Sequence, residues 1–158
     1  MVNVAALSKI QILSYNFSKD RIPSQKFLLS LVENILSVLG EKKKIDVAFI
    51  FVSSKQIQQI NKRWRNKNKT TTVISFPSSG IFKQFDRGTK TGRDLGEIFL
   101  CPAEIKKVAN QQKIPIENLY SRLLVHSILH LYGFTHGKKN DSQKMQLQEH
   151  KIFQLLKI

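Results

Sequence analysis

The run Ile45 to Val52 constrains the fold more than any other stretch of the chain. Apart from Asp46 it is β-branched, aromatic or aliphatic without alternation, so it reads as a strand buried on both faces. A strand of that kind calls for a sheet with packed layers on either side. Its core, Val47 to Val52, is also the longest uninterrupted apolar segment. That is far short of the roughly 20 residues a membrane-spanning helix needs. Met1 to Ser8 lacks a basic region followed by a long apolar stretch, so no signal peptide is expected and the chain reads as soluble and cytoplasmic.

Helical periodicity surrounds this strand. Phe27, Leu28, Leu31, Val32, Ile35 and Leu39 recur at helical spacing, and Gly40 supplies a C-terminal stop. Ser53 or Ser54 can cap a short helix through about Trp64. Two further strands are expected, Thr71 to Phe76 closed by Pro77, and Leu95 to Leu100. Pro102 fits the first turn of a helix to about Gln112, and Pro115 opens another over 116–133 that Gly133 ends. A last helix, capped by Asn140 or Asp141, turns Met145, Ile152, Phe153 and Leu156 inward. Ile10 to Tyr15 is expected as an edge strand. The whole reads as a mixed sheet covered by about five helices, α+β or α/β. Without internal repeat, Pro/Ser linker or low-complexity tract, one undivided domain over 1–158 is expected.

Charge and cysteine narrow the classes. The 158 residues carry 26 Lys+Arg against 11 Asp+Glu, a formal net charge of +15. At 41% hydrophobic and 23% charged the composition is that of a globular body, not of a disordered basic tail. A field of that sign attracts polyanions without naming which. The one cysteine, Cys101, forms no internal disulfide and cannot build a Cys-based zinc cluster.

Chemistry concentrates in His126-Ser127-Ile128-Leu129-His130-Leu131-Tyr132-Gly133-Phe134-Thr135-His136, which holds three of the four histidines. His126 and His130 stand four apart on the expected helix, so both imidazoles project from one face, close enough to share an ion. Gly133 lets the backbone turn at positive φ and bring His136 back as a third ligand. Three imidazoles with an open fourth position describe a catalytic zinc site, at the end of a central helix. Three His and a Gly at these offsets arise by chance roughly once in ten thousand chains of average usage. His150 falls outside the spacing and reads as surface or core.

The spacing matches the metzincin protease motif H-E-x-x-H-x-x-G-x-x-H with one change: Ser127 stands where those proteases carry the Glu that takes a proton from water. Serine cannot do that work, so hydrolysis would lean on the metal itself. Upstream, Lys62-Arg63-Trp64-Arg65-Asn66-Lys67-Asn68-Lys69 offers guanidinium forks for phosphate. Trp64 could stack on a base, although packing is the commoner role of a lone Trp. The long basic segment 78–93, with Lys83, Arg87, Lys90 and Arg93, reads as a functional loop.

Three blocks in order, Ile60-Asn61-x-x-Trp64-Arg65 with Thr71-x-Val73-Ile74-Ser75-Phe76-Pro77, then Leu95-Gly96-Glu97-Ile98, then His126 to His136, resemble the YbeY family of metal-dependent endoribonucleases that mature ribosomal RNA. The likeness spans roughly 45–157. It implies an α+β domain, one Zn²⁺ on His126, His130 and His136, and Arg65 facing the metal cleft. Thr72, Glu97, Ser127 and Thr135 depart from the family's usual Asp, Asp, Gly and Asp, and none of the departures removes a ligand.

The expected function is therefore zinc-dependent cleavage of single-stranded RNA, with His126, His130, His136 and Arg65 as the catalytic set. Arg63, Arg65, Lys67, Lys83, Arg87, Lys90 and Arg93 would hold the RNA backbone. Ribosomal RNA and the small ribosomal subunit are the implied partners, no membrane role is expected, and a monomer is favoured. The attacking group is open between water and the substrate's own 2′-hydroxyl. The rival readings are an RNA-binding ribosome-assembly factor with a structural zinc and a metzincin-like protease.

Overall fold

Strand Ile45–Phe51 is buried at every position, and the rest of the fold is arranged to cover it. The computed structural model describes residues 2–7, 9–78 and 92–158, the first six as backbone only. In chain order the strands are β1 (Val2–Leu7), β2 (Ile10–Asn16), β3 (Ile45–Phe51), β4 (Val73–Pro77) and β5 (Arg93–Leu100). The helices are α1 (Gln25–Leu39), α2 (Ser54–Arg65), α3 (Pro102–Gln112), α4 (Ile116–Leu131) and α5 (Lys139–Leu156). The sheet order is β1-β2-β3-β5-β4; β2, β3 and β5 are parallel, and β1 and β4 run antiparallel at the two edges. This is an α+β fold with a mixed sheet.

The alternation of β3 side chains divides the interior in two. Val47, Phe49 and Phe51 join the larger core with α1, α3, α4 and α5, whereas Ala48 and Ile50 join a smaller one closed by Ile57 of α2. Four of the described helices thus lie on one face of the sheet and α2 alone on the other.

Local signals set the helix ends. Ser24 caps α1 by accepting from the Phe27 N–H, and Gly40 closes it at φ +66°. Ser53 and Gln56 form a reciprocal capping box on α2. At Gly96, φ is +130° and a Cβ would stand 2.1 Å from the Phe76 carbonyl oxygen, so only glycine lets β4 pair here. The β3–β5 register skips Leu95 beside it, a bulge.

Several expectations change. The strand expected from Thr71 starts at Val73, and the helix expected over 116–133 ends at Leu131. Ile10–Asn16 is an inner strand, because Val2–Leu7 pairs outside it. β5 starts at Arg93, two residues early, where the Arg93 N–H donates to the Lys44 carbonyl. The last helix starts at Lys139 after Lys138, with no side-chain cap, so Asn140 and Asp141 lie inside its first turn. Lys83, Arg87 and Lys90 lie outside the described residues. No helix among the described residues is long and apolar enough to cross a membrane.

Candidate metal centre

Helix α4 is buried almost all round. Leu124, Val125, Ile128 and Leu129 enter the larger core, and Ser121 and Ser127 are also buried. His126 and His130 occupy the half-buried stripe that remains. The helix then unwinds through Tyr132 and Gly133, whose φ is +91°, and the Phe134 N–H returns to the Leu129 carbonyl at 3.1 Å. This turn carries the exposed His136 back over the helix end. Its ring centroid lies 5.1 Å from each of the other two imidazoles.

One nitrogen of each ring lies within 4.8 Å of the corresponding nitrogens of the other two, close enough to share an ion. His126 Nε2 and His130 Nε2 are 3.0 Å apart. Their outer nitrogens are engaged: His126 Nδ1 lies 2.8 Å from Glu149 Oε1, and His130 Nδ1 lies 2.8 Å from the Phe134 carbonyl oxygen. A carbonyl and a carboxylate only accept, so in the neutral rings that bind a metal each Nδ1 carries the proton and each Nε2 a lone pair. Two lone pairs facing at 3.0 Å repel, and a cation between them resolves the conflict. Nitrogens held at about 2.0–2.1 Å on a tetrahedral ion are about 3.3 Å apart, close to this separation. The donor set therefore fits a metal ion. Burial, its largest influence, pushes His130 below the ordinary imidazole value, while the Phe134 carbonyl pulls the other way. The net effect favours the neutral, ligating form.

A second set of contacts fixes the ligand-bearing turn. The Tyr132 hydroxyl donates to Glu41 Oε2 at 3.0 Å, and Arg93 Nη1 stands 3.4 Å from the same oxygen. The Arg93 guanidinium also lies over the Tyr132 ring at 5.0 Å. Glu41 is held below the usual carboxylate value, first by the Lys43 N–H, and then, against its own burial, by Tyr132 and Arg93.

The fold thus brings His126, His130 and His136 together. Arg65 ends α2, exposed, across the sheet from α4, and makes no hydrogen bond or ion pair to the histidines. Both helices pack against the edge strand β4. Arg63 lies over the Trp64 ring at 5.3 Å, Lys67 is exposed, and Arg93 is engaged by Glu41. His150 is exposed and outside the cluster. Glu149, Glu41 and Tyr132 are absent from the sequence-based set. The only hint of Glu149 was its place four residues after the inward-facing Met145, on one side of α5.

The sequence model of the family described as Endoribonuclease YbeY matches residues 13–157. The chain belongs to the YbeY family. Endoribonuclease YbeY of Bartonella henselae is 31% identical over 144 residues, spanning 91% of this chain and 83% of that one. Its counterpart in Francisella tularensis subsp. holarctica is 33% identical over 159 residues, spanning 94% and 86%. A Thermotoga maritima protein solved in solution shares the fold, with a TM-score of 0.56 at 21% identity over 94% of this chain and 91% of that one.

All four departures from the usual YbeY pattern fall on described residues. Glu97 and Ser127 are buried, 1% and 2% exposed. Ser127 thus packs into the interior, where a metzincin would need a base in the cleft. The Thr72 carbonyl accepts the Cys101 N–H at the start of β4, and Thr135 is exposed in the ligand-bearing turn. Serine adds only a hydroxymethyl group where the family usually has glycine, small enough for this buried side of α4.

Proposed function

We propose that this chain is a zinc-dependent endoribonuclease that cuts single-stranded RNA during ribosomal RNA maturation in the cytoplasm. The observation that carries the reading is the pair of facing Nε2 lone pairs, backed by fixed Nδ1 partners, in a member of the YbeY family. A bound ion would supply positive charge next to the scissile phosphate and make water more acidic. The chain's own residues do the rest. Glu149 and the Phe134 carbonyl hold His126 and His130 in the Nδ1–H form, the Tyr132–Glu41–Arg93 contacts steady the turn that presents His136, and Arg65 balances charge on the phosphate from the β4 edge. Arg63, Lys67 and Arg93, with Lys83, Arg87 and Lys90, would hold the backbone; at Arg93 a phosphate competes with Glu41.

The test is RNA cleavage by wild type, His130→Ala and Arg65→Glu, with and without chelator, together with elemental analysis. The expected result is about one zinc per chain, lost in His130→Ala along with cleavage, and a metal-replete but weakly active Arg65→Glu. Full activity in metal-free His130→Ala would overturn the reading.

A further inference from the structure

On the face of the sheet that carries only α2, a cavity of about 340 Å³ opens between that helix and β2, β3 and β5. Three of its walls are aromatic: Phe17, which is 50% exposed, Trp64 and Phe99. The rings are held in place by neighbours. Phe17 stacks on Tyr15 with planes 3° apart, Trp64 meets Phe76 edge-on at 6.2 Å, and Phe76 meets Phe99 at 5.8 Å. Arg63 and Gln59 add a planar cation and an amide to the same cavity.

The rim is basic. Lys62, Arg63, Arg65, Lys67 and Lys69 are all exposed, and no acidic residue occurs between Ser54 and Phe76. The stretch is anchored, since the buried Asn61 donates from Nδ2 to the Lys69 carbonyl at 2.8 Å and accepts the Lys67 N–H on its own carbonyl at 3.2 Å. Stacking rings beside exposed cations on an anchored backbone match a single strand, whose bases offer flat faces and whose phosphates offer charge. A hydrophobic peptide would use the rings and leave the cations unanswered.

We propose that this cavity takes an unpaired nucleobase of the RNA substrate, with Phe17 and Trp64 as the stacking surfaces and Lys62, Arg63, Lys67 and Lys69 on the flanking phosphates. It lies across the sheet from the histidines, so it would hold a base away from the cut and set which stretch of RNA is presented. The proposal rests on RNA being the substrate.

Trp64 is the one tryptophan of the chain, so its emission reports this cavity alone. The experiment titrates the chelator-treated full chain with a single-stranded oligoribonucleotide of about six residues and, separately, with a base-free oligomer of equal charge. The expected result is quenching of Trp64 by the RNA and not by the base-free chain. Phe17→Ala should weaken binding about five- to hundredfold, and Phe17→Tyr should restore it. If Phe17→Ala melts early, Phe17→Leu, which keeps the apolar bulk without a stacking face, decides instead. Equal quenching by the base-free oligomer, or unchanged affinity in folded Phe17→Ala, would overturn the proposal. Cleavage by the untreated protein without any quenching would sink the nucleobase cavity and leave the nuclease reading standing; quenching without cleavage would do the reverse.

Discussion

The carboxylate of Glu149 is the perturbation that tests the proposed metal centre most sharply, because it touches a candidate ligand without belonging to the cluster. It sits 2.8 Å from His126 Nδ1 and is 18% exposed, against 39% for the imidazole. Removing it by Glu149→Ala frees the ring to rotate and leaves Nδ1–H to water, so Nε2 is no longer held toward the other two nitrogens. Outer partners of metal-binding histidines are worth about 10–100-fold in metal affinity, or about 1.4–2.7 kcal/mol. The partial exposure of the pair places this one toward the lower end. Glu149→Gln keeps an acceptor at the same position and loses only the charge, so its effect should be a few-fold at most. Affinity is read by competition with a chromophoric zinc chelator at neutral pH, with circular dichroism to show that both variants fold. Wild-type affinity in Glu149→Ala would refute the orienting role. An equal loss in both variants would assign the effect to charge and not to ring orientation.

Three further outcomes follow from the geometry. Gly133→Ala meets open space and suffers only from φ +91°, so it should cost about 1–2 kcal/mol and lower metal affinity, because the turn carries His136. Gly96→Ala drives a Cβ to 2.1 Å from the Phe76 carbonyl and should lower the melting temperature more, through loss of β4 pairing; the reverse order in a melting comparison would count against this account. For the Glu41 contacts, the folded carboxyl lies below its ordinary value, so their stabilisation is present above the unfolded-state pKa and vanishes as pH falls through the depressed one. Wild type should therefore exceed Glu41→Gln in thermal stability near pH 7 and converge with it in acid, and a gap that widens with acid would refute the argument.

What could be read in advance depended on how far apart in sequence the cooperating groups lie. Helix α1 follows from a 3.6-residue stripe and Gly40, both inside one segment. The expectation that Ile10 to Tyr15 forms an edge strand failed because edge position is a property of the sheet: nothing local to that segment shows that Val2–Leu7 folds back to pair with it. The start of α5 failed for a related reason. Asn140 and Asp141 are good capping residues, yet the chain leaving the ligand turn enters the helix earlier, at Lys139.

The metal centre divides along the same line. Its three candidate ligands fall within one helix and one turn, so spacing alone brings them forward: four residues set two imidazoles on a face, and a glycine returns the third. The groups that decide which nitrogen of His126 and of His130 faces inward are of another kind. One is the backbone carbonyl of Phe134, to which side-chain identity is irrelevant; the other is Glu149, which reaches His126 only because Met145 and Ile152 dock α5 into the core beside α4. The α5 surface carries other polar side chains that could have met the ring had the helix docked one residue further round. Tautomer choice at His126 is therefore set by helix packing, and a core substitution such as Met145→Ala should weaken metal binding through Glu149 without touching the site. Because a buried Met→Ala change costs about 2–5 kcal/mol, the comparison belongs at a temperature where the variant is fully folded. A folded Met145→Ala that binds zinc as wild type does would show that α5 packing and ring orientation are independent.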